Sequence, residues 1–405
     1  MINLEIPKKL QQVGAMAHSV AEGMFRPISR KYDKFEHVYP SELDVLRSIL
    51  QGMEDGGTGM GAEGLSQDKK SKSKSKSKDI KNGSNMAVVL NMMEICWGDS
   101  GLALTIPGQG LGNAAIAAVA TSEQKKRFTG KWAAMAITEP DAGSDSASIN
   151  ATARLDGDEW VLNGEKIFVT CGERADLVVI WASLDKSLGR AAIKSFVVEK
   201  GTPGMKVTHL EKKLGIRASD TATIILDNCR IPRNNILGSE SIDTKKSFAG
   251  VMQTFDNTRP VVAAMSVGVA TAALDLTREL LNREGMRFNY RGTRFEISTI
   301  ESEIYRMEAD LEAARLLMFK AAWMADNGKP NSKEASMAKA KAGRVGNEIT
   351  LRCVELCGSL GYSEDYLLEK WARDSKIFDI FEGTQQIQQL VVARRLLKKS
   401  SKDLK

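Results

Sequence analysis

One glutamate near the end of the chain stands in surroundings that suit a general base. Glu382 follows Phe378 and Phe381, and it precedes Gly383 and a predicted amphipathic helix. Apolar neighbours exclude water from a carboxylate and raise its pKa, which brings the group towards the pH at which general-base catalysis is most effective. A carboxylate at a helix N-terminus is also stabilised by the helix dipole, so a chemically idle glutamate is the alternative interpretation.

A second concentration of polar groups lies in AITEPDAGSDSAS, residues 136–148. Thr138, Ser144 and the backbone amides offer hydrogen bonds, and Pro140 and Gly143 are expected to fix the path of the chain. This polar density exceeds what a structural turn needs. It favours a loop that binds a ligand, although the segment alone leaves a plain turn open.

Histidines and cysteines are too few for several other kinds of chemistry. The chain has three histidines and five scattered cysteines, of which only Cys353 and Cys357 lie close together, one helical turn apart. No metal site, disulfide framework or histidine-based triad is therefore predicted, and the cysteines are expected to be buried thiols.

The positive charge of the chain is local. The net charge of +6 equals the number of lysines in the run Lys69–Lys78. The rest of the chain has 51 basic and 51 acidic residues, which balance. A Lys-Ser repeat cannot bury apolar surface, so residues 68–82 are predicted to form a disordered loop. The run could dock on nucleic acid or anionic lipid, but it offers no aromatic or base-reading groups, and we expect a solvated loop.

The chain has the composition of an ordinary soluble protein, with 42% hydrophobic and 27% charged residues. No apolar run reaches the roughly 18–20 residues that a membrane span requires. The N-terminal segment lacks the apolar core of a signal peptide and carries a glutamate that is atypical of transit peptides. A cytoplasmic protein is expected.

Three regions are predicted along the chain, giving an α+β protein that is mostly α. Helices are expected within residues 4–25 and 41–54, then from Met86, with a capping box formed by Thr121 and Gln124. Short alternating segments separated by Asp-Gly and Asn-Gly turns predict strands after Trp132. From about Thr244 helical spacing returns, including a long helix that ends at Asn327-Gly328. The predicted domains are 1–134 (helical), 135–243 (β) and 244–405 (helical bundle).

Four motifs occur in a fixed order: AITEPDAGSD, NGEKIFVT, FDNTRPVVAA and IFEGTQQIQQLVVAR. Together they resemble the acyl-CoA dehydrogenase family of flavoproteins, and TSEQKKRF and KKLGIRASDTATIILDNCRIP match its pattern as well. The resemblance covers nearly the whole chain apart from the lysine run. It implies a helical N-terminal domain, a β-barrel-like central domain and a C-terminal four-helix bundle, with FAD between the last two.

The same resemblance implies functions for individual residues. Glu382 takes the position of the catalytic base in short- and medium-chain members. Donors to the thioester oxygen would be a flavin ribityl hydroxyl and the backbone N–H of Glu382. The positions that match FAD contacts are Met135, Ile137, Thr138, Gly143, Ser144, Phe168, Thr170, Thr384 and Gln386. The positions that match substrate contacts are Ser144, Asp256, Thr258, Arg259 and Gly383.

The chain departs from the family pattern where a neighbouring subunit would meet FAD. In the family, an arginine reaches the FAD pyrophosphate, but Glu284 stands at its position here; Arg283, Arg287 and Arg291 are possible substitutes. A family glutamine near the adenine is replaced by Phe295. A pair of glycines before the base is Gly358-Ser359 here. Either a homotetramer has a remodelled site, or the chain pairs with a homologous subunit of different sequence.

The expected reaction is the FAD-dependent dehydrogenation of an acyl-CoA thioester to trans-2-enoyl-CoA, as in fatty-acid β-oxidation and lipid metabolism. Electrons would pass to an electron-transferring flavoprotein. An acyl-CoA oxidase of the same fold is the closest alternative, and a nucleic-acid-binding member of the fold is a more distant one. The sequence does not specify the length or branching of the acyl chain.

Overall fold

The computed structural model describes residues 6–46, 83–108, 110–242 and 249–399. Helices form its N-terminal and C-terminal parts, and a curled sheet lies between them. The mostly helical α+β class is confirmed. The lysine run Lys69–Lys78 lies outside the described residues, so its predicted disorder stays a prediction.

The N-terminal part consists of helices. They are α1 (Lys8–Val20), which continues through a π-helical turn (Ala21–Phe25) into α2 (Arg26–Lys34), then α3 (Ser84–Gly98), α4 (Ser100–Ala103), α5 (Leu111–Val119) and α6 (Ser122–Phe128). Residues 43–46 are helical as well, within the helix predicted over 41–54. The capping box is confirmed: the hydroxyl of Thr121 accepts from the N–H of Gln124, whose side chain accepts from the N–H of Thr121.

The central part is a seven-stranded sheet. Its strands are β1 (Ala133–Ala136), β2 (Thr152–Asp156), β3 (Glu159–Thr170), β4 (Leu177–Ser183), β5 (Ile193–Glu199), β6 (Met205–Leu210) and β7 (Thr221–Pro232), in the order β1-β4-β2-β3-β7-β6 with β5 also paired to β4. β4 has paired neighbours on both sides and every one of its residues is buried. This explains why its sequence, LVVIWAS, is apolar up to the final Ser183 instead of alternating.

One of the two predicted turns is wrong. Asp156-Gly157 does connect β2 to β3, with Gly157 at φ 63°. Asn163-Gly164, however, lies inside β3, where the pairing with β7 shifts register between Leu162 and Gly164. Gly164 has φ 144°, and a Cβ there would lie 2.7 Å from that of Ala151. The glycine therefore marks a β-bulge at a close approach of two chains, not a turn.

The C-terminal part is a bundle of long helices. Its elements are α7 (Ala249–Arg283), α8 (Thr299–Asp326), α9 (Ser332–Leu356), α10 (Gly358–Tyr362), α11 (Leu368–Ser375), a 3₁₀ turn (Lys376–Asp379) and α12 (Gln385–Leu397). α9 packs against α7, α8 and α12. The predicted end of the long helix at Asn327-Gly328 is confirmed, since α8 ends at Asp326 and Gly328 is left-handed at φ 63°.

Helix α7 also has the length and apolar composition of a membrane span. Its segment Thr258–Arg283 has a mean hydropathy of 1.5, but 78% of the most apolar window is buried inside the protein. This is the environment of a core helix. The surrounding side chains of α3, α8 and α9 account for the apolar composition.

A buried ion cluster connects the three parts of the chain. Lys370 of α11 donates to Asp99 at 2.7 Å and to Asp374 at 2.5 Å, and all three side chains are at most 2% exposed. Ser29 of α2 donates to Asp99. Asp374 accepts from the backbone N–H of Ile216, in the loop between β6 and β7, at 2.5 Å. The cluster thus fixes α11, which leads directly to the segment that contains Glu382.

Candidate active site

Glu382 lies in the short connection between the 3₁₀ turn and α12. Its φ is 55°, and that of Gly383 is 91°, so two successive residues are left-handed. A non-glycine residue in this conformation is strained by about 1–3 kcal/mol. At Gly383 a Cβ would lie 2.3 Å from Nε2 of Gln388. Glycine is therefore favoured after Glu382, chiefly because a φ of 91° strains any L side chain.

The N-cap of α12 is Thr384, not Glu382. The hydroxyl oxygen of Thr384 accepts from the N–H of Ile387 at 3.3 Å, which is the capping contact expected of threonine. The carboxylate of Glu382 accepts instead from the hydroxyl of Thr258 on α7, at 2.9 Å. The glutamate is therefore turned towards the bundle, away from the helix terminus that the alternative interpretation assigns to it.

The electrostatic surroundings of Glu382 are those of a tuned carboxylate. Burial raises its pKa above 4.5, while the hydrogen bond from Thr258 and the charges of Arg259 and Lys339 lower it in part. Phe378 is fully buried behind it, and the rings of Phe378 and Phe381 lie 5.9 Å apart. Glu382 itself keeps part of its surface accessible. The pKa of this carboxylate therefore lies above that of an exposed glutamate, and its accessible surface allows a ligand to reach it.

Thr258 and Arg259 are buried at the start of the described side chains of α7, with 3% and 4% exposure. Thr258 donates to Glu382 and the charge of Arg259 acts on it, while the predicted contact of both residues with substrate stays a prediction. Nη1 of Arg259 is also 3.4 Å from the hydroxyl of Ser336 on α9. Asp256 belongs to the same helix, but its side chain lies outside the described part, so its predicted contact stays a prediction.

The loop that contains Thr138 and Ser144 is attached to β3 by a buried ion pair. Nζ of Lys166 lies 2.6 Å from Oε1 of Glu139 and 3.1 Å from the carbonyl of Ile137. Glu139 also accepts from the N–H groups of Asn150 and Ala151. Lys166 is fully buried and Glu139 is 4% exposed, and burial lowers the pKa of Lys166 to about 8. This pair helps to hold the loop of Thr138 against β3.

Phe168 is an unusual residue on the same strand. It has φ 56° and 59% of its surface is exposed, at the second register shift between β3 and β7. The N–H of Ile167 donates to the carbonyl of Thr138 at 2.9 Å, which brings Thr138 next to Phe168. Among the described residues, the hydroxyls of Thr138 and Thr170 have no hydrogen-bond partner. An exposed ring flanked by two available hydroxyls suits a planar ligand with polar edges.

The other predicted cofactor residues are found in less distinctive surroundings. Met135, on β1, and Ile137 pack partly against the apolar cluster beneath the sheet. Gly143 and Ser144 are exposed, and a Cβ at Gly143 would meet no atom within 4 Å. The glycine is thus not what fixes the loop, contrary to expectation; the paired Glu139 and Ala142 backbones do so. Gln386 is exposed on the first turn of α12.

The residues that depart from the family pattern are at the surface. Glu284 follows the end of α7, and the arginines at 283, 287 and 291 are all exposed, with Arg283 paired to Glu279. Phe295 is 96% exposed. Gly358 begins α10 at φ 54°. The expectation that this part of the chain contacts a neighbouring subunit stays a prediction.

Three residues near Glu382 and Thr138 were not predicted: Lys339 of α9, Gln388 of α12 and Lys166 of β3. A signal for Lys339 exists in the sequence. It lies on the same helical face as Ala335, Ala338 and Ala342, all buried, so that a lysine interrupts an apolar stripe. The partners of Lys166 and Lys339 are 27 and 44 residues away along the chain, which sequence patterns do not reveal, whereas Gln388 contacts the nearby Glu382 and Gly383.

The thiols take no part in this site. All five cysteines are free; Cys96, Cys171, Cys229 and Cys353 are buried, as predicted, whereas Cys357 is partly exposed. Within the described ranges, no group of three or more histidine, cysteine, aspartate or glutamate side chains could hold a metal ion.

Comparison with known proteins identifies the family. Residues 134–229 match the model of the acyl-CoA dehydrogenase middle domain, and residues 248–397 match that of the acyl-CoA dehydrogenase C-terminal domain. The human mitochondrial short-chain specific acyl-CoA dehydrogenase is 33% identical over 98% of this chain and 92% of its own. The chain belongs to the acyl-CoA dehydrogenase family.

Solved structures agree with this assignment. Butyryl-CoA dehydrogenase from Megasphaera elsdenii has a TM-score of 0.82 at 30% identity, covering 98% of this chain and 100% of the solved one. A chain solved in work on the electron transferring flavoprotein of Acidaminococcus fermentans gives the same TM-score, identity and coverage. The acyl-CoA dehydrogenases are FAD flavoproteins. The exposed Phe168 ring and the available hydroxyls of Thr138 and Thr170 fit that cofactor.

Proposed function

We propose that this acyl-CoA dehydrogenase converts a saturated acyl-CoA thioester to its trans-2-enoyl product, with Glu382 as the catalytic base. The observation that carries the proposal is the partly buried carboxylate of Glu382, which has a raised pKa and lies in a strained connection. Strain of this kind persists only where the surrounding structure imposes it, and it is concentrated at functional sites.

In the proposed reaction, Glu382 removes one proton from the α-carbon of the thioester. The electrons of that C–H bond form the new double bond to the β-carbon, and the β-hydrogen leaves as a hydride. Bound FAD supplies the hydride acceptor. The base must be ionised before it reacts, and the donor Thr258 together with Arg259 and Lys339 favours this charged form.

Removal of the α-proton places negative charge on the thioester oxygen, and donors directed at that oxygen stabilise the transition state. Among the described residues, the backbone N–H of Glu382 has no acceptor. We assign it to the thioester oxygen. Because this N–H and the carboxylate belong to one residue, the left-handed backbone of Glu382 affects both positions together.

The cofactor would be held by the β3 side of the site. Phe168 would pack against the ring system, and Thr138 and Thr170 would donate to its polar edge. Met135, Ile137, Gly143 and Ser144 complete the proposed surface on this side, with Thr384 and Gln386 contributing from α12. The ion pair between Glu139 and Lys166 would act indirectly, by holding the loop of Thr138 in place.

The proposed electron acceptor is an electron-transferring flavoprotein. Support comes from the similarity to the chain solved in work on the Acidaminococcus fermentans protein. The oxidase alternative predicts peroxide release in place of dye reduction under acyl-CoA. We further propose a homotetramer; fewer than one FAD per chain in the protein expressed alone would favour pairing with a homologous subunit.

The central test is Glu382→Gln, which keeps the size of the side chain and removes the base. Turnover of acyl-CoA with a dye acceptor should fall by roughly 10²–10⁴-fold, the usual contribution of a positioned base. The flavin absorbance per chain should stay unchanged. A panel of acyl-CoA thioesters of different length should be used, because the preferred chain length is not specified by the site residues.

Glu355→Gln is the matched control, since Glu355 lies on the exposed side of α9 in an ion pair with Arg352. It should retain full turnover. If Glu382→Gln keeps turnover close to that of this control, the base is a different residue and the proposal is wrong.

A further inference from the structure

The carbonyl groups of Glu382 and Gly383 are held by two side chains from different helices. Nζ of Lys339, on α9, donates to the carbonyl of Gly383 at 2.6 Å. Nε2 of Gln388, on α12, is 3.1 Å from the carbonyls of both Glu382 and Gly383. We refer to Lys339 and Gln388 as the carbonyl clamp.

Both members of the clamp are buried more completely than the base they adjoin. Lys339 is 1% exposed and Gln388 is fully buried, whereas Glu382 retains accessible surface. Burying an ammonium group is costly unless it is paired and hydrogen-bonded, and here burial lowers the pKa of Lys339 to about 8. An apolar side chain of similar size would avoid this electrostatic cost, so packing alone does not explain the lysine.

The geometry of a trans peptide gives the clamp a directional effect. In each peptide unit the C=O and the N–H point in opposite directions. Since the carbonyls of Glu382 and Gly383 point towards Lys339 and Gln388, the N–H groups of Gly383 and Thr384 point away from them. The clamp therefore fixes the two peptide planes on either side of the Gly383 Cα, and with them the left-handed conformation of Gly383 and the direction in which the chain leaves Glu382.

The charge of Lys339 is felt by Glu382 as well. The charged groups that face the carboxylate are Arg259 from α7 and Lys339 from α9, and both lower its pKa, while Asp379 of the 3₁₀ turn acts on Lys339. Lys339 is thus in a position to orient the base and to favour its ionised form.

We infer that Lys339 and Gln388 are positioning residues that hold Glu382 in its reactive orientation through the two carbonyl groups of its connection. This inference rests on the proposed function of Glu382 as the base. It adds that a lysine and a glutamine without contact to the reacting atoms determine the rate of proton removal.

The experiment compares Lys339→Met and Gln388→Met with Lys341→Met in the complete FAD-loaded enzyme. Lys341 lies two residues further along α9, where it pairs with Asp310 at the surface, so the control removes a lysine from the same helix. For Lys339→Met we expect kcat to fall roughly 10- to 100-fold, the effect of a small displacement of a catalytic group, with KM and flavin content close to those of the control.

The pH dependence separates the two effects of the clamp. Loss of the Lys339 charge should raise the pKa of Glu382, so the acidic limb of kcat/KM should move to higher pH in Lys339→Met. Gln388→Met removes a donor without removing charge, so kcat should fall while the limb stays in place. Lys339→Arg retains the charge and should restore the position of the limb.

If Lys339→Met and Lys341→Met have the same kcat and the same acidic limb of the kcat/KM–pH profile, the inference about the clamp is wrong. The proposed function would still stand in that case, provided that the wild-type enzyme turns over acyl-CoA. A wild-type enzyme without activity on any acyl-CoA, or a fully active Glu382→Gln variant, would instead overturn the proposed function. If Lys339→Met loses its flavin or unfolds, Gln388→Met decides, since an unchanged kcat in that variant also contradicts the clamp.

Discussion

At the scale of single residues, the properties of Glu382 come from opposing influences on one carboxylate. Burial raises its pKa, and the hydroxyl of Thr258 with two nearby cations lowers it. Since the net shift is upward from 4.5 and only the ionised form accepts a proton, kcat/KM should decline with falling pH at a pH above that of an exposed glutamate.

Thr258→Val tests the hydrogen bond directly. A hydrogen bond to a charged group contributes about 1.5–3 kcal/mol, and one pKa unit corresponds to about 1.4 kcal/mol. We therefore expect the acidic limb of the pH–rate profile to move upward by about one unit, measured as kcat/KM across pH. Thr271→Val on the same helix, whose hydroxyl donates to its own helix at the carbonyl of Val267, is the control. If the acidic limb of the pH–rate profile lies at the same pH in Thr258→Val and Thr271→Val, the hydrogen bond from Thr258 does not lower the pKa of Glu382.

At the scale of secondary-structure elements, the loop of Thr138 depends on one ion pair with β3. Glu139 and Lys166 are both buried, and removing one member of such a pair leaves an uncompensated charge that costs about 3–5 kcal/mol. Lys166→Met should lower the free energy of unfolding by about that amount and weaken retention of FAD.

Arg230→Met is the control for this prediction. Arg230 belongs to the same sheet and pairs with Asp156 and Glu159, but about half of its side chain is exposed (48%), so its loss should cost less than about 1 kcal/mol. Urea unfolding and flavin absorbance measure both effects. Similar stabilities of the two variants would show that the buried pair does not hold the loop.

The sequence predicted those elements whose signals are local. The capping box at Thr121 and the end of α8 at Gly328 depend on residues within one turn, and both are confirmed. Asn163-Gly164 was mistaken for a turn because a bulge and a turn use the same residues, and only the partner strand β7 distinguishes them. Lys166 and Lys339 were missed for a similar reason, since their partners lie 27 and 44 residues away.

At the scale of the whole molecule, the ion cluster around Lys370 joins helices of both ends of the chain to the sheet. Lys370→Met would leave Asp99 and Asp374 buried next to each other without a cation. We expect a loss of about 3–5 kcal/mol in the free energy of unfolding. Lys34→Met, at an exposed ion pair with Glu364, should have a small effect.

The penalty of Lys370→Met should also depend on pH. Burial already raises the pKa of Asp374, and without Lys370 it rises further. A group whose pKa is raised on folding stabilises the protein at low pH, and this contribution is lost as pH increases through the folded-state pKa. The difference from wild type in urea unfolding should therefore be smaller near about pH 5 than near about pH 7. A difference independent of pH would show that the two aspartates do not interact as described.

The left-handed backbone at Glu382 has an implication for how this enzyme can change over time. Glycine would be the most stable residue at position 382, where φ is 55°. Glu382 therefore lowers the free energy of unfolding in return for its reactive side chain. Directed evolution that selects only for thermal stability is therefore expected to replace Glu382 with glycine and to lose activity. Variants that are both more stable and active would need stabilising substitutions at other positions.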